Sequence, residues 1–190
     1  MKTAAKFIEL NTARMTTEER LDKHLKKNPH IPDTAYVANE AVLIGDVTLG
    51  DSASVWPGCV IRGDINSISI GDRTNVQDGT IIHLADNHGV EIENDVTIGH
   101  GAIIHACKIE SECLIGMRAT LMDGAVIGRN SIIGAGSLVT PNTHIPPGSL
   151  AVGAPARVVR QLSEDEQANI KNWSNKYVKV AAAHKAKFQG

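Results

Sequence analysis

The 190-residue sequence has very few aromatic side chains: two Phe, two Trp and two Tyr, 3% of the chain. So few rings suit a narrow, regular core filled by aliphatic residues. A charge of one sign is also missing. Lys and Arg number 19 against 21 Asp and Glu, a formal net charge of −2, which gives no reason to expect nucleic acid or an acidic membrane surface as partner. No apolar run is long enough to span a bilayer, and no secretory signal is read. Only three cysteines occur, Cys59, Cys107 and Cys113, without paired spacing. Reduced thiols and a cytoplasmic setting are therefore expected.

What the sequence does have is a repeat. Aliphatic residues recur at six-residue steps as Val37, Leu43, Leu49, Val55 and Ile61, then after three extra residues as Ile70, Val76 and Ile82. Four more residues intervene before Ile92, Ile98 and Ile104; one is then missing, and Ile109, Ile115, Leu121, Ile127, Ile133, Val139 and Ile145 follow. Small residues such as Ala53, Cys59, Thr74, Ala102, Ala119 and Ser131 stand four positions later, and Gly often follows the aliphatic directly. An α-helix turns about 600° in six residues, so this stripe would wind around it and hold no face. Short extended segments joined by tight turns can use the period. Three of them close a triangular coil, and coils stack at the strand spacing of roughly 4.8 Å. The pattern resembles the hexapeptide-repeat family, whose fold is a left-handed parallel β-helix, and it covers about residues 37–155. The expected organisation is an N-terminal segment (1–34) with a short charged helix within 15–27, a β-solenoid over 35–158, and a C-terminal helix in 159–190. Ser163 and Glu166 form a capping box for that helix. Ile170, Trp173, Tyr177, Ala181 and His184 recur at helical spacing, so the helix is expected to pack on the solenoid or on a neighbouring subunit.

The repeat fixes where three of the eight histidines point. Every third step returns to the same face, so Ile61, Ile82 and Ile104 stack, and the residues after them, Arg62, His83 and His105, form one outward column. His83 and His105 can approach one ion from adjacent coils. His100 lies on the preceding face, above Asp78 and near Gln77. With a corner between them, one chain would struggle to bring all three rings to one ion. A three-fold homotrimer solves this by setting one protomer's face against the preceding face of its neighbour. Three neutral imidazoles leave a fourth position open, as in catalytic zinc sites. His24, His30, His144 and His184 have no partner in the pattern and are expected to be solvated.

Arg62-Gly63-Asp64, Asn75-Val76-Gln77-Asp78, His83 and the His100/His105 pair resemble the γ-class carbonic anhydrase family. The resemblance implies reversible hydration of carbon dioxide to bicarbonate by a metal-activated hydroxide. The ion, zinc first with iron, cobalt or nickel as alternatives, would be held by His83, His100 and His105 between subunits of a homotrimer. It further implies that Gln77 hydrogen-bonds the hydroxide or bicarbonate, that Arg62, Asp64 and Asp78 form an ion-pair network at the interface, and that Tyr177 lies near the metal. The sequence departs from the founding archaeal type at Ile65, where that type has a glutamate. The loop after the first histidine is also short, about Leu84 to Val90, leaving His88 as the one evident proton shuttle. Leu114–Gly124 is similar to the bacterial branch that includes the phenylacetate-pathway and carnitine-operon relatives. A metal-dependent thioesterase or hydrolase acting on acyl-CoA, a hexapeptide acyltransferase and a non-catalytic scaffold stay open as alternatives.

Overall fold

The computed structural model describes residues 15–189; residues 1–14 of the expected N-terminal segment lie outside them. The chain winds into a three-sided, left-handed β-solenoid of about six coils. The first face stacks Tyr36–Val37, Ser54–Val55, Asn75–Val76, Thr97–Ile98, Leu114–Ile115, Ile132–Ile133 and Ser149–Gly153, all parallel. Ala156–Gln161 then turns back antiparallel and closes its last edge. The second face carries Ile81–His83, Ile103–His105, Thr120–Leu121 and Leu138–Val139; the third carries Val90–Ile92, Lys108–Ile109, Val126–Ile127 and His144–Ile145. Two longer strands, Val42–Leu49 and Val60–Ile70, bend around a corner and belong to both.

The six-residue period becomes three columns inside the prism. Val55, Val76, Ile98, Ile115 and Ile133 line one wall, Ile61, Ile82, Ile104, Leu121 and Val139 the second, and Leu49, Ile70, Ile92, Ile109 and Ile127 the third, each at most 2% exposed. Full burial of such a side chain is worth roughly 1.5–3 kcal/mol. The columns therefore account for the dominance of β-branched aliphatics over rings, which a prism this narrow cannot stack. Corners turn through residues in the left-handed region. At two of them, Gly101 (φ 68°) and Gly124 (φ 69°), glycine takes that conformation without the penalty a side chain would bring.

Helix α1 (Thr17–His24) begins at the N-cap Thr16, whose side chain and Glu19 form a reciprocal capping box. It docks on the long bent strands through its last residue. His24 is 6% exposed and its Nδ1 lies 2.7 Å from Asp46 Oδ2, to which Lys27 also donates at 2.8 Å. The expectation of a solvated His24 is thus corrected: a carboxylate 22 positions away in sequence holds it inside. His30 and His144 are exposed. His184 is not solvated either, its ring packing 4.9 Å from Trp56 and 5.9 Å from Tyr36.

Helix α2 (Glu164–Phe188) is capped by Ser163 with Glu166, and Arg160 grips Glu166 through two 2.7 Å hydrogen bonds. Its 25 residues span about 37 Å, enough to run from the last coil back to the first. Lys185 Nζ donates to the Ala35 carbonyl at 2.9 Å, and midway Ser174 Oγ donates to Asp95 at 3.2 Å. Ile170, Ser174 and Ala181 are buried against the first face, whereas Trp173, expected in the apolar stripe, is 48% exposed. Of the expected stripe, Ile170 and Ala181 are buried and Tyr177 and His184 pack against Trp56; Trp173 alone turns outward, its place against the solenoid taken by Ser174. No helix among the described residues is long and apolar enough to cross a membrane.

Candidate metal centre

His83 and His105 are directly paired across adjacent strands of the second face, with ring centroids 5.4 Å apart. The buried Ile82 and Ile104 just before them force both rings outward, because alternate residues of a strand face opposite sides. His83 Nε2 lies 3.1 Å from Asp64 Oδ1, and the other oxygen of Asp64 accepts from Arg62. Burial alone would raise the Asp64 carboxyl, but the bonds from His83 and Arg62 and the Arg62 charge hold it below the usual carboxylate value. His105 Nδ1 contacts Asp123 Oδ1 at 2.6 Å.

His100 stands on the first face, after Ile98 and Gly99, where Gly101 turns the corner. Its Nδ1 lies 2.9 Å from Asp78 Oδ2, one coil below. Gln77 is 5% exposed and its amide nitrogen donates to Asn75 Oδ1 at 3.1 Å; Asn75 in turn donates to Thr97 Oγ1 at 2.9 Å. Gln77, His100, Met117, Trp173 and Tyr177 line a mostly apolar groove of about 490 Å³ between α2 and the first face. Tyr177 meets Trp56 edge-on at 5.5 Å. Burial, with a smaller contribution from the Asp78 charge, pushes its hydroxyl above the usual value, so it stays a neutral donor.

The residues singled out from the sequence thus fall into two sets. Arg62, Asp64, His83 and His105 share one corner of the prism; Gln77, Asp78 and His100 share the first face, and Tyr177 of α2 meets Gln77 and His100 in the groove. Among the described residues of one chain, no three His, Cys, Asp or Glu side chains converge well enough to hold an ion. His88, the expected shuttle, lines a polar depression on the third face with Asn66, Ser69 and Lys108, and the structure does not bring it to His83. Cys107 is buried in the core, 4% exposed, and burial pushes its thiol up to about 12.

Two site residues had escaped the sequence reading, Asn75 as the anchor of Gln77 and Asp123 as the partner of His105. A signal for the second lay in the irregularities of the repeat. Following the ladder from the second face to the third, the steps Leu43 to Thr48, Ile61 to Ser69, Ile82 to Glu91, Ile104 to Lys108 and Leu121 to Val126 take 5, 8, 9, 4 and 5 residues. Every insertion and the deletion fall at one corner, the corner carrying Arg62, Asp64, His83, His105 and Asp123. Coil length varies at that corner alone.

A family model described as bacterial transferase hexapeptide (six repeats) matches residues 106–141. The chain is 50% identical over 145 residues to a protein of Methanocaldococcus jannaschii named probable carbonic anhydrase, covering 76% of this chain and 91% of that one. It is 42% identical over 180 residues to gamma carbonic anhydrase 1, mitochondrial, of Arabidopsis thaliana, covering 88% of this chain; it spans 66% of the length of that relative. Among solved structures, a Bacillus cereus protein proposed to be an acetyltransferase superposes with a TM-score of 0.83 at 40% identity, over 85% of this chain and 94% of that one.

Proposed function

The chain belongs to the γ-class carbonic anhydrase family of hexapeptide-repeat proteins, and from that premise we propose that it hydrates carbon dioxide reversibly to bicarbonate at a metal centre shared between subunits of a homotrimer. The observation that carries the proposal is the pairing of histidines with carboxylates. His83, His100 and His105 each keep one ring nitrogen against an aspartate, Asp64, Asp78 and Asp123 respectively. That leaves the other nitrogen of each ring for an ion, the arrangement metal-binding imidazoles use to fix ring orientation. An all-imidazole set with buried, unavailable thiols fits zinc, and also iron, cobalt or nickel. When bound, such an ion supplies the Lewis acidity that brings the ionisation of water near neutral pH.

The remaining work falls to this chain's own residues. Gln77, held by Asn75, presents a fixed amide to an oxygen of substrate or product. Arg62, 43% exposed beside its Asp64 partner, attracts the anionic product. Asp78 orients His100, and Tyr177 donates from the wall of an apolar groove that suits an uncharged substrate. Assembly into a trimer is supported by the second face itself. Val42, Ile81 and Ile103 stack there in register through Val60, and these three are 47%, 46% and 42% exposed. This is an apolar stripe beside the histidine pair that a partner's first face would cover. Buried, reduced thiols suit a cytoplasmic enzyme.

The groove's extent, about 490 Å³, favours one second reading: hydrolysis of an acyl thioester by the same centre. Purified protein, assayed before and after chelation and reloading with zinc or iron, is expected to hydrate carbon dioxide only when loaded. Loaded protein that cleaves acyl-CoA thioesters but does not hydrate carbon dioxide establishes the second reading. Full activity of metal-free monomers in either assay refutes the shared metal centre.

A further inference from the structure

We infer that Asp123 is a positioning residue of the metal centre, fixing the tautomer and aim of His105; the inference rests on the metal reading above. The contact is short, 2.6 Å from His105 Nδ1 to Asp123 Oδ1, and its origin lies in a change of coil length. Below it, His105, Ala106 and Cys107 alone bridge the corner from Ile104 to Lys108. One coil above, Met122, Asp123, Gly124 and Ala125 bridge the same corner from Leu121 to Val126. Met122 is the ladder successor of His105, so Asp123 begins the wider turn over the shorter one, and its carboxylate hangs over the imidazole. Two features hold it there. Gly124 turns the chain at φ 69°, and the Asp123 carbonyl accepts from Asn142 N at 2.8 Å in the next coil. Had the lower coil kept its missing residue, the two corners would run in step and the overhang would vanish.

The pair is open to solvent, His105 at 32% and Asp123 at 41% exposure, so its direct contribution to folding is small. Its consequence is directional. A carboxylate on Nδ1 keeps the proton at that nitrogen, so Nε2 carries the lone pair offered outward. With Asp64 on His83 and Asp78 on His100, every imidazole of the proposed set then has its own carboxylate. His105 draws its carboxylate from the coil above, whereas the other two draw theirs from the coils below.

An Asp-Gly pair also makes a good turn, and a turn former alone would serve folding and nothing else. The test separates these roles with the full-length chain, stripped of metal, as wild type, Asp123→Asn and Asp123→Ala. Three properties are read: zinc affinity by chelator competition, the ring-nitrogen shifts of His105 by NMR above pH 8, and the thermal midpoint of metal-free protein. Asn keeps the turn and an acceptor but removes the charge, so it remains informative if the Ala variant folds poorly. Expected are a zinc affinity about 10- to 100-fold weaker for Ala, a smaller loss for Asn, a His105 spectrum that shifts from the Nδ1–H form toward a mixture, and an unchanged midpoint for metal-free Asn variant. Variants that bind zinc as tightly as wild type, or a lower midpoint with no change in tautomer, overturn the inference and leave the metal centre standing. Wild-type protein that takes up no divalent metal overturns both.

Discussion

Asp95 is the joint between the solenoid and α2, and removing either side of its ion pair should cost different amounts. Its carboxylate is 5% exposed, bonded to Arg73 Nε at 2.8 Å and Nη2 at 2.7 Å, and approached by Ser174 of α2. Burial works to raise the Asp95 carboxyl; the bonds and charge of Arg73, then Lys171 and Ser174, hold it below the ordinary value. Arg73→Met keeps the aliphatic stem but strands a buried charge, a loss of several kcal/mol for a fully buried pair. Because Arg73 is itself 40% exposed, about 3 kcal/mol is the better expectation. Asp95→Asn keeps a residue type that tolerates the observed φ of 59°, and it leaves Arg73 free to rehydrate. About 1–2 kcal/mol is expected there. At 2–4 °C per kcal/mol for a chain of this size, Arg73→Met should melt roughly 6–12 °C below wild type and Asp95→Asn well above it. Fluorescence reports the event directly, since Trp56 is buried beneath α2 against Tyr177 and His184. The pH dependence has a fixed sign. A depressed carboxyl stabilises the fold above its unfolded value near 3.9 and loses that contribution as pH falls through the lower folded value. Wild type should therefore lose the joint in acid below about pH 4, Asp95→Asn should lack that step, and the Arg73→Met deficit should shrink there as the stranded carboxyl takes a proton. An Asp95→Asn variant as unstable as Arg73→Met at pH 7 would refute the asymmetry on which these numbers rest.

Ile104 is fully buried between the strands that carry His83 and His105, so Ile104→Ala should cost about 2–5 kcal/mol in denaturant titration and weaken metal uptake by loosening both rings. His100→Ala should abolish metal uptake while leaving the solenoid's circular dichroism intact; sedimentation run alongside will show whether the trimer outlives its ion, and a monomeric wild type would count against the shared site. Cys59, Cys107 and Cys113 are buried, and burial pushes the last two thiols up to about 12. Native protein should therefore resist a thiol-specific chromogenic reagent at pH 8 and react at three sites once denatured; rapid labelling of native protein would show that the coils open readily.

The aliphatic columns were legible in the sequence because each obeys one rule, a return to the same wall every third step, and a wall admits little besides Val, Ile and Leu. His83 above Arg62, and His105 above His83, followed from the same counting. The cap of α2 was legible too, since Ser163 with Glu166 is a local signal. Side chains whose partners come from a different coil through an irregular corner were not. His24 is buried because the bent strand Val42–Leu49 turns Asp46 toward α1, and no periodicity announces that bend. The outward turn of Trp173 was not legible either, because spacing cannot separate a helix wholly packed on the solenoid from one that leaves a groove beneath Trp173.

The irregularities themselves were the unread part of the message. Treated as interruptions, an insertion of three, an insertion of four and a deletion of one merely reset the count. Placed on the prism, they stack at a single corner while the other corners stay regular. A solenoid coil gains nothing in packing from an indel, because its neighbours above and below must accommodate the mismatch in their ladders. Three mismatches at one corner are therefore better explained by side chains that must project out of register than by tolerance of that surface. The argument is open to direct test at the short coil. Inserting one Gly between Ala106 and Cys107 restores the regular step of five and should leave the aliphatic columns and the melting midpoint nearly unchanged. By bringing the two corners into step, it should draw Asp123 away from His105 and lower metal affinity as far as Asp123→Ala does. Equal loss of stability and affinity would mean that the deletion serves packing, and that its coincidence with the histidines is accidental.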